Sequence, residues 1–160
     1  MQFEIDGHQV SFDDEDVMLL FNFKWRVIKR NRSYYVESGS HEIGGYRVNA
    51  MHNLILPRRD GFVVDHIDGN GLNNRRSNLR YATLSENQFN QRVRPEKRFK
   101  GTYYYPREKK PWSARIQANG KAKNLGRFHT EEEAAAAYND AARKLHGQFA
   151  KLNDLSREAI

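Results

Sequence analysis

Residues 63–91 have the sequence VVDHIDGNGLNNRRSNLRYATLSENQFNQ, in which two short apolar segments flank a polar loop. The first segment begins with the β-branched pair Val63-Val64, and the second is Leu79-Arg80-Tyr81-Ala82. Between them, Asp68-Gly69-Asn70-Gly71 supplies the residue types that tight turns require. This pattern predicts a β-hairpin with a long loop over residues 63–83.

A helix is predicted to follow the hairpin, from residue 84 to about residue 93. Thr83 lies three residues before Glu86, which is the spacing of a capping box. On such a helix Asn87 lies on the polar side and Phe89 on the apolar side. The apolar side is expected to pack, which leaves the polar side to face a site.

Four side chains of this stretch have the chemistry of metal-assisted hydrolysis. Asp65 and Asn87 carry oxygen donors that suit a hard divalent cation, and His66 can take a proton near neutral pH. A base beside a metal ion is what hydrolysis of a phosphodiester requires. Asn78 is expected to span the loop by hydrogen bonds and to orient the histidine. Because adjacent strand residues point to opposite faces, a bend is expected between Asp65 and His66.

Other polar residues nearby are assigned different roles. Asn70, Asn73 and Asn74 are expected to be turn residues rather than ligands. His52 either approaches the site or is a packed or surface histidine, and the second alternative is favoured. The other histidines have no supporting neighbours and are expected at the surface: His8, His41, His129 and His146.

The segment before the hairpin, residues 1–62, is predicted to contain short strands and turns. Met18-Leu19-Leu20-Phe21 follows the acidic run 13–16, which suits a helix N-terminus; cation binding by that run is the less favoured alternative. Residues 51–56, MHNLIL, form a short helix or a strand. Two strands are also expected, at 33–36 and 46–48, with a turn at Gly44-Gly45 between them.

The charge of the chain favours a polyanionic partner. The net charge is +7, and the segment from Arg92 to Arg127 contains twelve Lys and Arg against two Glu, a formal +10. Neutralising phosphates with such a cluster releases condensed counterions. A solvated basic surface is the alternative interpretation.

Several classes of protein are disfavoured by composition. The chain has no cysteine, so disulfides and thiolate zinc sites are excluded. No apolar run approaches the length of a membrane span, and the N-terminus lacks the features of a signal peptide. These observations favour action in the cytoplasm, with no membrane partner.

A second domain is predicted after a charged segment that contains Pro95. Residues 94–99 are interpreted as the linker. Strands are expected at Gly101–Tyr105 and Trp112–Ala118, with a third running from the turn Asn119-Gly120 to about Phe128. In the middle strand, alternation predicts one buried face and one polar, basic face. The buried positions of that strand are Trp112, Ala114 and Ile116.

The final element is predicted to be a helix that covers the three-stranded sheet. Thr130 and Glu133 have capping-box spacing, and Gly147 suits the C-terminal cap. Apolar residues recur at helical spacing at Ala134, Ala137, Tyr138, Ala141, Ala142 and Leu145. A helix on one face of the sheet leaves the opposite, positively charged face exposed.

The segment at 45–92 resembles the HNH nucleases of the ββα-metal fold, because Asp65-His66, Asn78 and Asn87 match that family in order and spacing. The string DHIDGNGLNNRRSNLR and the preceding MHNLIL are similar to the homing endonucleases of phages and introns. The resemblance implies His66 as general base, Asp65 and Asn87 as metal ligands and Asn78 as the loop-organising residue.

The same resemblance bears on the metal. The third letter of the motif is Asn87 rather than histidine, and an amide is the weaker ligand for transition metals. One Mg²⁺ or Mn²⁺ ion per active site is therefore favoured over zinc. Arg75, Arg76 and Arg80 are expected to contact backbone phosphates, although solvated arginines are nearly as plausible.

Residues 100–153 resemble the ethylene-response-factor (Apetala-type) DNA-binding domain. The matching strings are KGTYYYPREKKPWSARI, LGRFHTEEEAAAAYNDAA and GQFAKLN. That family places its three-stranded sheet in the major groove. Carried over by position, the candidates for DNA contact are Arg107, Lys109, Arg115, Gln117, Lys123 and Arg127, with Tyr104 as a further possibility.

These interpretations combine into a two-domain α+β protein. The domains are a ββα-metal HNH nuclease at 1–93 with its core at 50–93, the linker at 94–99, and a three-stranded antiparallel sheet packed on one helix at 100–155. We expect a metal-dependent endonuclease of homing type that acts on double-stranded DNA as a monomer or weak dimer. The alternatives are a DNA-binding regulator with an inactive nuclease fold and an RNA-binding protein.

Overall fold

A computed structural model describes residues 1–43, 46–93, 96–118 and 120–156. The chain divides into two compact units, Met1–Asn87 and Gln88–Ile160, and each is described by itself. The predicted turn residues Gly44-Gly45, as well as Asn119, lie outside the described residues.

The first unit is built from short antiparallel pairs and small helices. Its N-terminal elements are β1 (Gln2–Ile5), β2 (His8–Ser11), a 3₁₀ turn (Asp14–Asp16) and α1 (Val17–Leu20). A three-stranded antiparallel sheet and a helix follow, formed by β3 (Arg26–Arg30), β4 (Ser33–Ile43), β5 (Tyr46–Ala50) and α2 (Met51–Ile55). The apolar segment at 51–56 is thus a helix rather than a strand.

The hairpin predicted at 63–83 is present in the first unit. It consists of β6 (Val63–His66), a loop ending in a 3₁₀ turn (Arg76–Asn78), and β7 (Leu79–Ala82). The strands are antiparallel, with Asp65 opposite Arg80 and His66 opposite Leu79. Leu79 belongs to the core of this unit, against which Val64 packs. Burying one such aliphatic side chain contributes about 1.5–3 kcal/mol, so the core fixes which face of the hairpin points inward.

The N-terminal segment contacts the hairpin loop directly. Ser11 donates its N–H to the carbonyl of Leu72 at 2.9 Å and accepts the N–H of Asn74 at 2.7 Å. The Arg76 guanidinium donates to both carboxylate oxygens of Asp16, at 2.5 and 3.2 Å. Asp16, the last residue of the acidic run 13–16, is buried in this contact. The loop is therefore supported by residues 60 or more positions earlier in the chain.

Helix α3 (Leu84–Phe89) begins as predicted and ends early. Thr83 Oγ1 accepts the Glu86 N–H at 3.3 Å, and Glu86 Oε2 accepts the Thr83 N–H at 2.7 Å, so the capping box is confirmed. The predicted end near residue 93 is wrong. The Lys100 ammonium donates to the carbonyls of Phe89 and Gln91, at 2.7 and 3.0 Å, and thereby satisfies carbonyls where the helix stops.

The second unit is a three-stranded antiparallel sheet with a long helix. Its elements are β8 (Thr102–Tyr104), β9 (Trp112–Ala118), β10 (Lys121–Phe128) and α4 (Glu131–His146). The strand order is β10-β9-β8. The core is formed by Ile116, Tyr138 and Ala142. The capping box of Thr130 and Glu133 is confirmed, and Gly147 has a φ of 53°, a left-handed value that suits glycine after a helix.

Two burial predictions for β9 are wrong. Trp112 is half-buried, because it lies at the end of its strand opposite Tyr104 and Phe128. Ser113, expected on the exposed polar face, is only 1% exposed. Its cross-strand neighbours are Tyr103 and Arg127, two large side chains that flank the small serine.

Three further positions in the second unit differ from expectation. His146 is buried, and its Nε2 contacts the carbonyl oxygen of Gln117 at 2.7 Å. Its ring stacks on Phe89 with centroids 3.7 Å apart, while the neighbouring Leu145 is exposed. Phe99, assigned to the linker, is 1% exposed and belongs to the packed interior.

Within the described ranges, every helix is too short or too polar to span a bilayer.

Candidate active site

The β6–β7 ladder directs Asp65 and His66 to opposite sides of the hairpin. Its register is regular through both residues, so adjacent side chains alternate. The bend predicted between them is not present, and the strand ends directly after His66. Both side chains are buried, with 5% and 6% of their surface exposed. The Asp65 carboxylate and the His66 imidazole therefore lie in different environments at the end of β6.

Asp65 is held by the arginine opposite to it. Arg80 donates from Nε at 2.9 Å and from Nη2 at 2.8 Å, and both bonds reach Oδ2 of Asp65. A carboxylate offers about four lone-pair sites on two oxygens. These two bonds from Arg80 fix the orientation of the group.

His66 lies in a cluster of three rings drawn from three elements. Its ring is perpendicular to that of His52 on α2, with centroids 4.9 Å apart. Tyr35 on β4 lies 6.1 Å from His66 and 6.2 Å from His52, also edge-on. A Cβ at Gly71 would lie 2.6 Å from the Tyr35 ring. The loop therefore needs glycine at residue 71 in order to approach this cluster.

Asn74 joins the loop to His66. Its side chain is fully buried, and Oδ1 lies 3.3 Å from Nε2 of His66. Asn74 is predicted as a turn residue rather than a ligand, and in addition its amide contacts the predicted base. The same expectation is confirmed for Asn70, whose Oδ1 accepts the N–H of Leu72 at 3.2 Å.

Asn78 closes the polar loop through both ends of its amide. Its Oδ1 accepts the N–H of Asp68 at 3.0 Å, and its Nδ2 donates to Asp68 Oδ1 at 3.0 Å and to the Asn73 carbonyl at 2.7 Å. Desolvation alone would raise the pKa of Asp68, but bonds from Asn73, Asn70 and Asn78 lower it. The loop is thus organised around an ionised Asp68.

Replacing Asn78 with alanine should destabilise the first unit by about 2–3 kcal/mol, because three hydrogen bonds of roughly 1 kcal/mol each are lost at a buried position. Urea unfolding followed by circular dichroism measures this change. Asn70→Ala, at an exposed position with a single local bond, is the matched control and should lose less than half as much. Equal losses in both variants would contradict the bridging role of Asn78.

Burial governs the two imidazoles of the ring cluster. It lowers the pKa of His66, and the hydrogen bond with Asn74 and the charges of Asp68 and Asp65 oppose that shift. Burial, together with the neighbouring His66, lowers the pKa of His52 to about 3. His52 is therefore neutral at physiological pH, and its buried Nδ1 has no hydrogen-bond partner among the described residues.

The remaining predicted site residues of the first unit are placed as follows. Asn87 lies on α3 one turn after Thr83, whose carbonyl accepts its N–H at 2.9 Å. Arg76 and Arg80 are ion-paired with Asp16 and Asp65, so a contact with phosphate would have to share or open these pairs. Arg75 is half-buried just before the 3₁₀ turn.

The chemistry of the donors suits a magnesium-type ion. No group of three His, Asp or Glu that could hold a metal exists among the residues that the structure describes. Mg²⁺ is commonly held by one or two carboxylates, with water and substrate phosphate completing its shell. One carboxylate at Asp65 and one amide at Asn87 fit that preference, and they do not fit a zinc site with several imidazoles.

The open face of the β8–β10 sheet carries alternating cations and aromatic rings. The Arg115 guanidinium lies 5.2 Å from the centre of the Tyr103 ring, and its Nη2 donates to Tyr105 Oη at 2.8 Å. The guanidinium of Arg127 lies 5.0 Å from the ring of Tyr105. Of the other candidates, Arg107, Lys109 and Gln117 are exposed.

Lys123 does not share that face. It is the cross-strand partner of Ile116, a residue of the core beneath α4, whereas Asn124 is the partner of Arg115. Directly paired residues point to the same side of a sheet. Lys123 and Arg115 therefore lie on opposite sides of the sheet. A register shift between Asn124 and Gly126 returns Arg127 to the side of Arg115.

Comparison with known proteins agrees with the hairpin chemistry. Residues 51–89 match the family described as HNH endonuclease, whose members generally depend on a divalent metal ion. A protein of Acanthamoeba polyphaga mimivirus, "Uncharacterized HNH endonuclease L560", is 33% identical over 138 residues, which cover 82% of this chain and 72% of that protein. "Protein 3.8" of Escherichia phage T7 is 36% identical over 98 residues, covering 60% of this chain and 79% of its own length. No solved structure matches the chain. The chain belongs to the HNH endonuclease family and is a nuclease.

Proposed function

We propose that this chain is a metal-dependent DNA endonuclease with a ββα-metal active site, in which His66 is the general base and Asp65 and Asn87 hold the ion. The observation that supports this most is the hairpin end itself. There a buried imidazole and a buried carboxylate emerge from consecutive residues, beside a loop closed by Asn78.

The reaction is hydrolysis of a phosphodiester. His66 accepts a proton from water as the water oxygen bonds to phosphorus. The bond from phosphorus to the 3′-oxygen breaks, and its electron pair leaves on that oxygen, which takes a proton from solvent. The products are a 5′-phosphate and a 3′-hydroxyl. His66 then returns its proton to water, so the base is regenerated.

Asp65 and Asn87 would hold one Mg²⁺ or Mn²⁺ ion. When bound, such an ion neutralises charge on the phosphate and on the departing oxygen. The fork from Arg80 orients the Asp65 carboxylate, in the way that hydrogen-bonded partners commonly orient metal-ligating groups. Asn78 keeps the loop closed, so that His66 remains at a fixed place relative to that carboxylate.

We assign the second unit to DNA recognition of the ethylene-response-factor type. The exposed Arg115 and Arg127, with the tyrosines between them, present guanidinium groups that can bond phosphates and base edges. A DNA reader in the same chain raises the local concentration of the nuclease on its target. Recognition of a long site in double-stranded DNA would suit a homing endonuclease acting in the cytoplasm of a bacterial or phage-infected cell. A monomer with one site would nick one strand.

Removal of the metal tests the proposed activity. The chain should convert supercoiled plasmid carrying the sequence that flanks its own gene into nicked circles in Mg²⁺, and excess EDTA should abolish nicking while leaving DNA binding intact. Gel electrophoresis measures the first quantity and fluorescence anisotropy the second. Equal nicking with and without EDTA would exclude the metal mechanism. Tight binding with no cutting in any divalent metal would instead favour the regulator.

Arg115→Ala should weaken binding to duplex DNA by about 1–3 kcal/mol if it reads a base edge, or reduce the slope of log K against log salt by about 1 if it binds phosphate. Anisotropy titrations at several salt concentrations separate these outcomes. Arg143→Ala, which removes an exposed arginine from α4, is the matched control. Unchanged affinity and slope in Arg115→Ala would contradict recognition by the sheet face.

A further inference from the structure

The amide of Asn74 has an orientation that the structure determines. Its Nδ2 faces the carbonyl oxygen of Gly71 at 3.4 Å, and its Oδ1 faces Nε2 of His66 at 3.3 Å. A flipped amide would place two oxygens against each other at Gly71. The contact with Gly71 therefore selects the orientation in which Oδ1 faces the histidine.

An amide oxygen can only accept a hydrogen bond. The nitrogen of His66 that faces it must therefore carry the hydrogen, and in a neutral imidazole the other nitrogen, Nδ1, then carries the lone pair. The contact between Asn74 and His66 thus fixes more than the position of a ring, because it also selects a tautomer.

We infer that Asn74 is a positioning residue that holds His66 as the Nε2–H tautomer, so that Nδ1 is the atom that accepts the proton from water. The inference rests on the proposed function for the identity of the base, although the tautomer itself is a property of the protein without substrate. Once His66 is protonated, Nε2 continues to donate to Asn74, so the proton gained at Nδ1 breaks no bond at the other nitrogen.

The surroundings of Asn74 make it suited to this role. The residue is fully buried, so its amide is shielded from water that would compete for Nε2. Its backbone N–H donates to the carbonyl of Ser11 at 2.7 Å, which ties the residue to β2. On another side of the imidazole, the ring of His52 packs at a right angle. The histidine is therefore restrained both in tilt and in the direction of its Nε2–H bond.

Asn74 cannot act by touching DNA, because none of its surface is exposed. Its effect must pass through His66, and loss of the amide should alter the chemical step rather than substrate binding. Partners of this kind commonly contribute 10- to 100-fold to activity. The tautomer and the kinetic constants are therefore separate readouts of the same contact.

Nitrogen NMR of the metal-free full-length chain labelled with ¹⁵N-histidine tests the tautomer directly, with the His66 signals identified by their loss in His66→Gln. At a pH where His66 is neutral, we expect a protonated, pyrrole-type Nε2 and an unprotonated, pyridine-type Nδ1, with a single tautomer populated. A predominant Nδ1–H tautomer, or a mixture like that of a free imidazole, would overturn the inference. Neither result depends on whether the chain cuts DNA.

Two variants extend the test to activity. Asn74→Asp keeps an acceptor oxygen and should retain the single tautomer, whereas Asn74→Leu removes the acceptor and should give a mixture. In Mg²⁺-dependent cleavage, Asn74→Leu should lower kcat by roughly 10- to 100-fold with KM for DNA unchanged. A single Nε2–H tautomer that persists in folded Asn74→Leu would overturn the inference even if cleavage fell. If Asn74→Leu does not fold, the wild-type spectrum and Asn74→Asp decide the question.

Discussion

His66→Ala should reduce cleavage of plasmid DNA by about 10²–10⁴-fold, the range that general-base catalysis contributes. The imidazole is held at the end of β6 by Asn74 and packed against His52. Removing it deletes the proposed proton acceptor and leaves the proposed metal donors on Asp65 and Asn87. Single-turnover cleavage in Mg²⁺ measures the loss, and anisotropy should show DNA affinity within about twofold of the wild type, because the side chain is buried.

A matched replacement separates this effect from the general consequences of losing a histidine. His129→Ala removes an exposed imidazole before α4 and should leave cleavage unchanged. If His66→Ala lost binding and cleavage in equal measure, the residue would be structural and the proposed base would have to lie elsewhere.

Asp65→Ala should both destabilise the first unit by about 3–5 kcal/mol and abolish metal-dependent cleavage. The destabilisation arises because Arg80, with 14% of its side chain exposed, would keep its charge and lose the carboxylate that accepts two of its hydrogen bonds. The loss of activity arises because the ion would lose its charged ligand. Chemical unfolding measures the first effect and plasmid cleavage the second.

A double replacement distinguishes the two roles of Asp65. Asp65→Leu combined with Arg80→Met removes both charges and supplies apolar side chains of similar size, so most of the lost stability should return. Cleavage should remain absent, since no carboxylate is restored. Recovery of cleavage together with stability would show that Asp65 acts only as the partner of Arg80, and the proposed metal site would then be untenable.

The local elements of the hairpin region could be predicted from the sequence because their signals lie within a few residues of each other. Turn residues at 68–71 and the Thr83–Glu86 capping box act over that range, and both features occur where expected. The end of α3 could not be predicted in this way. It depends on Lys100, which lies eleven residues after Phe89 and satisfies the helix carbonyls from a distance.

The surroundings of His66 could not be deduced from local patterns. Tyr35, His52 and Asn74 come from a strand, a helix and a loop, and each belongs to a segment whose own pattern carries no signal of the others. Gly71 gives an indication, since a glycine within a polar loop can mark a close approach between two parts of the chain. The local sequence does not show that the approached group is the ring of Tyr35.

The sequence also could not predict which side of the sheet a residue faces when it follows a register shift. Alternation along β10 assigns Lys123 and Arg127 to one side, but the register shift between Asn124 and Gly126 separates them. A single additional residue reverses the side on which every later residue lies. Composition alone suggests that both side chains are exposed to solvent. Exposure does not tell on which side of the sheet each of them lies.

The hydrogen bonds that Ser11 and Asp16 make with the hairpin loop affect whether the family-matched segment could fold without the rest of the chain. In a peptide limited to residues 51–89, the main-chain N–H of Asn74 would lose its acceptor on Ser11. The Arg76 guanidinium would lose the carboxylate of Asp16. The hairpin segment of this chain therefore depends on contacts from Ser11 and Asp16, and a graft onto a foreign scaffold would have to supply equivalent partners.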